Sequence, residues 1–152
     1  MNRRAAGLYL DTGLLVSLFH GDSGYPAAEA WLASAESQDL WISHWVLLEF
    51  ASATAVRLRR GELNAARVET LRAALEAFRR ERLGMLEPRG DDFLRAQRWL
   101  EQAPACGLKG ADALHLAIAD RHRLTLISAD QALIQAAEAL EISAQRVGTP
   151  LG

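Results

Sequence analysis

Four short apolar runs, separated by longer segments with helical periodicity, constrain the fold of this chain more than any other feature. The runs are typical of strands and cover residues 8–10, 40–43, 83–86 and 124–128, and residues 142–147 are expected to form a last, edge strand. Between them, apolar residues recur every three or four positions, which is the spacing of an amphipathic helix. Strands that alternate with helices predict a mainly parallel sheet with helices on both faces. We therefore expect a single α/β domain over residues 1–152.

The segments between the runs predict seven helices. Their expected ranges are residues 12–19, 23–36, 44–60, 62–82, 91–102, 110–119 and 130–140. Ser43 is placed to cap the third of these helices, and Gly61 follows its last residue, where glycine commonly ends a helix. The sequence has no glycine-rich phosphate loop, which argues against a nucleotide-binding Rossmann enzyme.

The sequence favours a cytoplasmic protein without a membrane segment. Cys106 is the only cysteine, so no disulfide can form within the chain. No stretch approaches the roughly 18 consecutive apolar residues of a membrane span. Asp11 interrupts the apolar run that follows Arg3 and Arg4, which argues against a secretory signal peptide.

The distribution of charge does not by itself identify a nucleic-acid surface. The formal net charge is −2, although eleven arginines stand against seven acids between Arg57 and Arg98. Arginine suits bidentate contacts with phosphate groups. Amphipathic helices with arginine and glutamate on their solvent faces explain most of these residues equally well. The residues that would bind a substrate are therefore unknown from sequence.

Four carboxylates stand alone in apolar segments. Each is the sole formal charge over a long stretch of chain, and the four are Asp11, Glu49, Asp112 and Asp130. An ionised carboxylate is costly to bury unless it is paired or coordinates a cation. No lysine or arginine lies in the same segments. A shared partner from outside the chain is one explanation.

The predicted positions of the four acids allow them to converge. Asp11 directly follows the first strand, and Asp130 lies two residues beyond a later one. Parallel α/β sheets bind ligands at the carboxyl ends of their strands. Asp112 in the first turn of its helix and Glu49 in the second turn of another can reach the same edge. All-oxygen ligation suits Mg²⁺ or Mn²⁺.

Helix capping is the alternative explanation for three of these acids. Asp11, Asp112 and Asp130 each lie at or near a helix start, where aspartate is favoured on its own account. Glu49 lies inside an apolar helical run and cannot cap it. His115, one turn after Asp112, could contact a substrate or donate a hydrogen bond to a ligand. A lone histidine on a largely apolar helix is more often a satisfied structural residue, and no nucleophile accompanies it to form a triad.

Four motifs resemble, in the same order, those of the PIN-domain family, and within it the VapC-type toxins of bacterial toxin–antitoxin pairs. The motifs are LYLDTGLLV, ISHWVLLEFASA, KGADALHLAIA and TLISADQAL, and the resemblance covers nearly the whole chain. Gly13 departs from the serine that more often follows Asp-Thr in this family. Ser128 stands where threonine is commoner, which keeps a hydroxyl.

The resemblance implies a fold, an activity and partners. The fold is a Rossmann-like α/β/α sandwich, and the activity is that of a Mg²⁺- or Mn²⁺-dependent endoribonuclease. The expected partners are an RNA substrate, a second copy of the chain in a homodimer, and a cognate VapB-like antitoxin. The implied catalytic and metal-binding residues are Asp11, Glu49, Asp112 and Asp130, with Thr12 and Ser128 as hydrogen-bond donors around them. A catalytically weak PIN-like protein-interaction module is the alternative, because Gly13 removes a hydroxyl near the metal.

Overall fold

A computed structural model describes residues 7–148, which form five strands, seven α-helices and one 3₁₀ turn. The strands are β1 (Leu8–Leu10), β2 (Leu40–Ser43), β3 (Leu83–Leu86), β4 (Thr125–Ser128) and β5 (Ala144–Arg146). The helices are α1 (Thr12–His20), α2 (Tyr25–Ser34), α3 (His44–Arg59), α4 (Ala65–Arg82), α5 (Gly90–Gln102), α6 (Gly110–Arg121) and α7 (Gln131–Ala139). The 3₁₀ turn, Pro104–Cys106, connects α5 to α6.

All five strands lie in one parallel sheet with the order β3-β2-β1-β4-β5. Tyr9 on the central strand pairs with Trp41 on one side and with Leu126 on the other. The predicted α/β fold with a parallel sheet is confirmed.

The strand order reverses between β1 and β4, and this reversal determines where a ligand can bind. Right-handed crossovers place α1 to α4 on one face of the sheet and α5 to α7 on the other. In sheets of this kind ligands bind in the crevice at the carboxyl ends of the two strands that flank the reversal, and here these strands are β1 and β4. The backbone N–H of Asp11 donates to the carbonyl of Ile127 at 3.0 Å, so the end of β1 is fixed against β4.

The central strand β1 has no polar face, because helices cover the sheet on both sides. Leu8, Tyr9 and Leu10 are accordingly all buried. Seven consecutive residues of α6, 113–119, are also buried, and His115 is the only polar side chain among them. Within the described part of the chain, no helix is both long and apolar enough to cross a membrane.

Several predicted boundaries differ from the structure: α2 spans Tyr25–Ser34 rather than residues 23–36, and hydrogen bonds explain two further differences. Helix α4 begins at Ala65 rather than at residue 62, because Asn64 caps it by accepting from the N–H of Arg67 at 2.7 Å. Strand β5 begins at Ala144 rather than at residue 142, because the N–H of Ile142 donates back to Ala137 at the end of α7.

Gly84 on β3 leaves space for the indole ring of Trp41 on β2. A Cβ atom at Gly84 would lie 2.3 Å from the nearest indole carbon, well inside the contact distance of two carbon atoms. The two residues are register partners, so the ring cannot avoid the added methyl without leaving its place on the sheet. The packing of the Trp41 indole therefore requires a glycine at position 84.

We expect Gly84→Ala to lower the free energy of unfolding by about 1–3 kcal/mol, the usual cost of overpacking. Denaturant unfolding followed by circular dichroism measures it. Gly90→Ala is the matched control, because a Cβ atom at Gly90 meets nothing within 4 Å. Equal stabilities of Gly84→Ala and wild type would contradict the packing argument.

Candidate active site

Asp11 lies where β1 ends, at the edge of the crevice, and its side chain turns toward β4. The hydroxyl of Ser128, the last residue of β4, donates to Asp11 Oδ2 at 2.7 Å. Asp11 occupies the N-cap position of α1 but makes no capping hydrogen bond. Burial raises the pKa of its carboxyl, while the nearby imidazole of His115 and the Ser128 hydroxyl oppose the rise. The capping explanation therefore fails for Asp11.

Asp130 follows β4 and caps α7. Its Oδ1 accepts from the backbone N–H groups of Ala132 at 2.9 Å and Leu133 at 3.2 Å. Its own N–H donates to the Ser128 hydroxyl at 3.0 Å. Ser128 thus links the backbone of Asp130 to the carboxylate of Asp11. For Asp130 the capping explanation holds, and one carboxylate oxygen is committed to it.

Glu49 reaches the same edge from the second turn of α3. The hydroxyl of Thr12 donates to Glu49 Oε1 at 2.8 Å, and His115 Nε2 also contacts this oxygen. Burial acts to raise the pKa of Glu49. The hydrogen bonds from His115 and from the Thr12 hydroxyl outweigh that effect and hold the pKa of Glu49 below its usual range. Glu49 is therefore ionised at neutral pH.

Asp112 is half-buried in the first turn of α6 and does not cap that helix, whose N-cap position is Lys109. Burial raises the pKa of Asp112 to about 6, and the charges of Asp11, Asp130 and Glu49 add to the rise. All three other isolated acids therefore lie close enough to act on Asp112 electrostatically. The structure brings the four acids to one edge of the sheet, at the reversal of strand order.

The sequence interpretation missed a buried network behind these acids. His115 is 1% exposed, and its Nδ1 lies 2.7 Å from the hydroxyl of Tyr9, which in turn lies 2.7 Å from the hydroxyl of Ser43. A buried tyrosine needs a partner for its hydroxyl, so the tyrosine inside the apolar run of β1 was the available signal. His115 is satisfied, as the sequence interpretation held, but one of its partners is Glu49.

The donor set fits a hard divalent cation, with one geometric condition. Carboxylate oxygens are the ligands that Mg²⁺ and Mn²⁺ prefer, and a cation would relieve the repulsion that raises the pKa of Asp112. In the positions adopted by residues 7–148, no three acidic, histidine or cysteine side chains already form a metal cage. Direct ligation by three carboxylates would require them to move together, whereas ligation through bridging waters would not.

Five of the eleven arginines between Arg57 and Arg98 form ion pairs, and four of these pairs are local. Arg72 and Arg79 pair with glutamates one turn earlier on α4, as amphipathic helix faces predict. Asp92, which is 2% exposed, accepts from the guanidinium of Arg121 at 2.7 and 3.0 Å and ties α5 to α6. These pairs have structural roles and give no indication of a phosphate-binding surface.

The raised pKa of Asp112 predicts how stability depends on pH without metal. Its folded-state value of about 6 lies above the ~3.9 of an unfolded aspartate, so the fold binds the extra proton. The contribution of Asp112 to stability is then largest below about pH 4 and is lost as the pH rises through about 6. We expect Asp112→Asn to remove this loss.

After allowance for solvent screening of a half-buried group, Asp112→Asn should be about 1 kcal/mol more stable than wild type at about pH 8, and equally stable at about pH 4. Denaturant unfolding in the presence of EDTA at both pH values measures the difference. A variant that is no more stable than wild type at about pH 8 would show that burial and the neighbouring charges do not disfavour the ionised form of Asp112.

Several solved structures share this fold. VapBC2 from Rickettsia felis, bound to a DNA fragment from its promoter, is 19% identical with a TM-score of 0.64, over 91% of this chain and 97% of that chain. FitAcB from Neisseria gonorrhoeae is 21% identical with a TM-score of 0.64, over 90% of this chain and 95% of that one. VapC20 from Mycobacterium tuberculosis, described as a sarcin–ricin loop cleaving toxin, is 18% identical with a TM-score of 0.64, over 86% and 95%.

Because these sequence identities are low, the similarity shows a shared fold only. A comparison with curated proteins found no significant match. The model of the PIN domain, in contrast, matches residues 8–139, which include all four isolated acids. That match spans most of the sequence, and this chain therefore belongs to the PIN-domain family.

Proposed function

We propose that this protein is a Mg²⁺- or Mn²⁺-dependent endoribonuclease, and that it is the VapC-type toxin of a toxin–antitoxin pair. The observation that carries the proposal is the convergence of four carboxylates at the carboxyl ends of β1 and β4, where Ser128 joins Asp11 to the backbone of Asp130 and Thr12 holds Glu49. Acids that repel one another at the ligand-binding edge of a parallel sheet suit a divalent cation. Membership of the PIN-domain family supports the same chemistry.

The roles of the four acids follow from their hydrogen bonds. Asp11, Asp112 and Glu49 are the proposed principal ligands, directly or through water. Asp130 has an outer role, because its Oδ1 is occupied by the N-terminus of α7. When bound, the cation would lower the pKa of the attacking water and neutralise charge on the phosphate. Ser128 holds Asp11 Oδ2, and Thr12 holds Glu49 Oε1, so the two carboxylates keep fixed orientations.

RNA is the proposed substrate, and its phosphodiester bond is the proposed point of attack. The similar structure described as a sarcin–ricin loop cleaving toxin supports this substrate class. A cluster of bare carboxylates would repel a phosphate group, so substrate binding at this edge depends on prior neutralisation by the cation. The cytoplasm, where RNA substrates and a reducing environment coexist, is the proposed compartment.

An antitoxin and a second copy of this chain are the proposed protein partners. The similar VapBC2 assembly and FitAcB support an antitoxin. Large apolar side chains exposed on the described part of the chain also favour a surface that binds another protein. They include Leu48 on α3 and the adjacent pair Phe93 and Leu94 on α5, each more than half exposed.

A catalytically weak interaction module is the competing function, and Gly13 is the observation that favours it. A Cβ atom at Gly13 would meet only one atom within 4 Å, Asp11 Oδ2 at 3.8 Å. The space beside this carboxylate is therefore open, and no side chain from residue 13 supports it. The two functions differ in whether the acids bind a cation and cleave RNA.

Asp112→Asn should reduce Mg²⁺- or Mn²⁺-dependent RNA cleavage about 100-fold or more, because it removes a charged cation ligand without changing shape. Cleavage of total RNA by the purified protein at millimolar metal measures it, and circular dichroism confirms the fold. Asp39→Asn is the matched control, since Asp39 is exposed at the start of β2, at the opposite edge of the sheet. Unchanged cleavage by Asp112→Asn would remove Asp112 from the mechanism.

Gly13→Ser should increase cleavage about two- to tenfold, because the added hydroxyl would stand beside Asp11 Oδ2 as an outer hydrogen-bonding group. Gly13→Ala is the control, since it adds the Cβ atom alone. Mn²⁺-dependent cleavage is compared among the three proteins. If the serine and alanine variants have the same activity, the missing hydroxyl does not limit this site.

A further inference from the structure

His115 is buried directly behind the acids, and both of its ring nitrogens are engaged. Nδ1 lies 2.7 Å from the hydroxyl of Tyr9, and Nε2 contacts Glu49 Oε1 and lies 3.3 Å from the hydroxyl of Thr12. The indole of Trp45 covers the ring, with centroids 6.2 Å apart, and its N–H donates to the carbonyl of Ala111 at the start of α6. The imidazole therefore has one fixed orientation.

One arrangement of hydrogens satisfies every group in the network. A carboxylate can only accept, so His115 Nε2 donates to Glu49. In a neutral imidazole Nδ1 then accepts from the hydroxyl of Tyr9, which accepts from the hydroxyl of Ser43, whose oxygen accepts from the N–H of Val46 at 3.4 Å. Fully satisfied buried networks of this kind are rigid.

The network joins the three parts of the fold that carry the principal ligands. Tyr9 lies on β1, two residues before Asp11. Ser43 caps α3, the helix that carries Glu49. His115 lies on α6, one turn after Asp112. A shift of any of these elements would break a buried hydrogen bond, so the network fixes their relative positions.

The two oxygens of Glu49 have different surroundings as a result. Oε1 receives hydrogen bonds from Thr12 and His115. Oε2 makes no hydrogen bond to any of the residues between 7 and 148, and the Glu49 side chain is 28% exposed. Holding one oxygen from behind leaves the other for a cation or for one of its bound waters.

We propose that His115 is a positioning residue for the cation: it holds Glu49 Oε1, supported by Tyr9 and Ser43, so that Oε2 is presented to Mg²⁺ or Mn²⁺. The inference rests on the proposed metal-dependent function and assigns a specific task to a residue outside the four acids. If His115 only filled the core, its loss would weaken folding but would leave the intrinsic affinity of the folded protein for the cation unchanged.

Two variants test the hydrogen bonds at the two ring nitrogens of His115 separately. The amide of glutamine reaches the position of Nε2, so His115→Gln keeps a donor to Glu49. The amide of asparagine reaches only the position of Nδ1, so His115→Asn keeps a polar group near Tyr9 and loses Glu49. Calorimetric titration with MnCl₂ in the absence of RNA gives the affinity of each folded protein. Thermal melting without metal records any loss of stability separately.

We expect His115→Asn to bind Mn²⁺ about 10–100-fold more weakly than wild type, and His115→Gln to stay within about threefold. In a Glu49→Gln background, His115→Asn should cause no further loss, because its effect passes through Glu49. His20→Asn is the control: His20 is a partly buried histidine on α1 whose partner is Thr54. Unchanged Mn²⁺ affinity of His115→Asn, tighter binding, or an equal loss in the Glu49→Gln background would each overturn the inference.

The titration also separates this inference from the proposed function. If wild type binds no Mn²⁺, the proposed metal-dependent function fails, and the role of His115 fails with it. If wild type binds Mn²⁺ and His115→Asn binds it equally well, only the role of His115 fails. Since the readout is binding, neither result depends on knowing the RNA target.

Discussion

Repulsion among carboxylates held at one edge of the sheet is the constraint on which the rest of this site depends. The reversal of strand order brings Asp11 and Asp130 together, and α3 and α6 add Glu49 and Asp112. Partial burial disfavours the ionised form of Asp112, and the neighbouring charges add to this effect, so the pKa of Asp112 rises to about 6. Such a cluster weakens the fold at neutral pH. In the proposed function, a divalent cation would relieve this repulsion, and the relief would favour binding of the cation.

Hydrogen bonds between distant parts of the chain hold the acids in this unfavourable arrangement. Ser128 joins the end of β4 to Asp11, and Thr12 joins the start of α1 to Glu49. The His115 network adds a second, fully buried layer behind them. These hydrogen bonds fix the carboxylate oxygens before a ligand binds. A bound cation would therefore not have to order them.

The sequence predicted most of the architecture because the relevant signals are local. Short apolar runs and helical spacing gave the elements, and the parallel sheet then placed Asp11 and Asp130 at one edge. Capping could not be separated from ligation, since both favour aspartate at a helix start; only the side-chain hydrogen bonds in the structure show that Asp130 caps and Asp11 does not. The Tyr9–His115 contact spans 106 residues, and no local pattern encodes it. Buried Asp92 was missed for a related reason, because it lies in a charged segment and does not stand alone.

Anomalous diffraction from crystals of wild type soaked in MnCl₂ tests the central claim most directly, because it locates the cation without assuming a substrate. We predict an anomalous peak at the carboxyl ends of β1 and β4, within about 2.5 Å of oxygens of Asp11 or Asp112 or linked to them through ordered water. We also expect Glu49 to present Oε2, not Oε1, toward that peak. A peak only at exposed acids elsewhere, or none at millimolar Mn²⁺, would contradict the claim that these four carboxylates form a cation site.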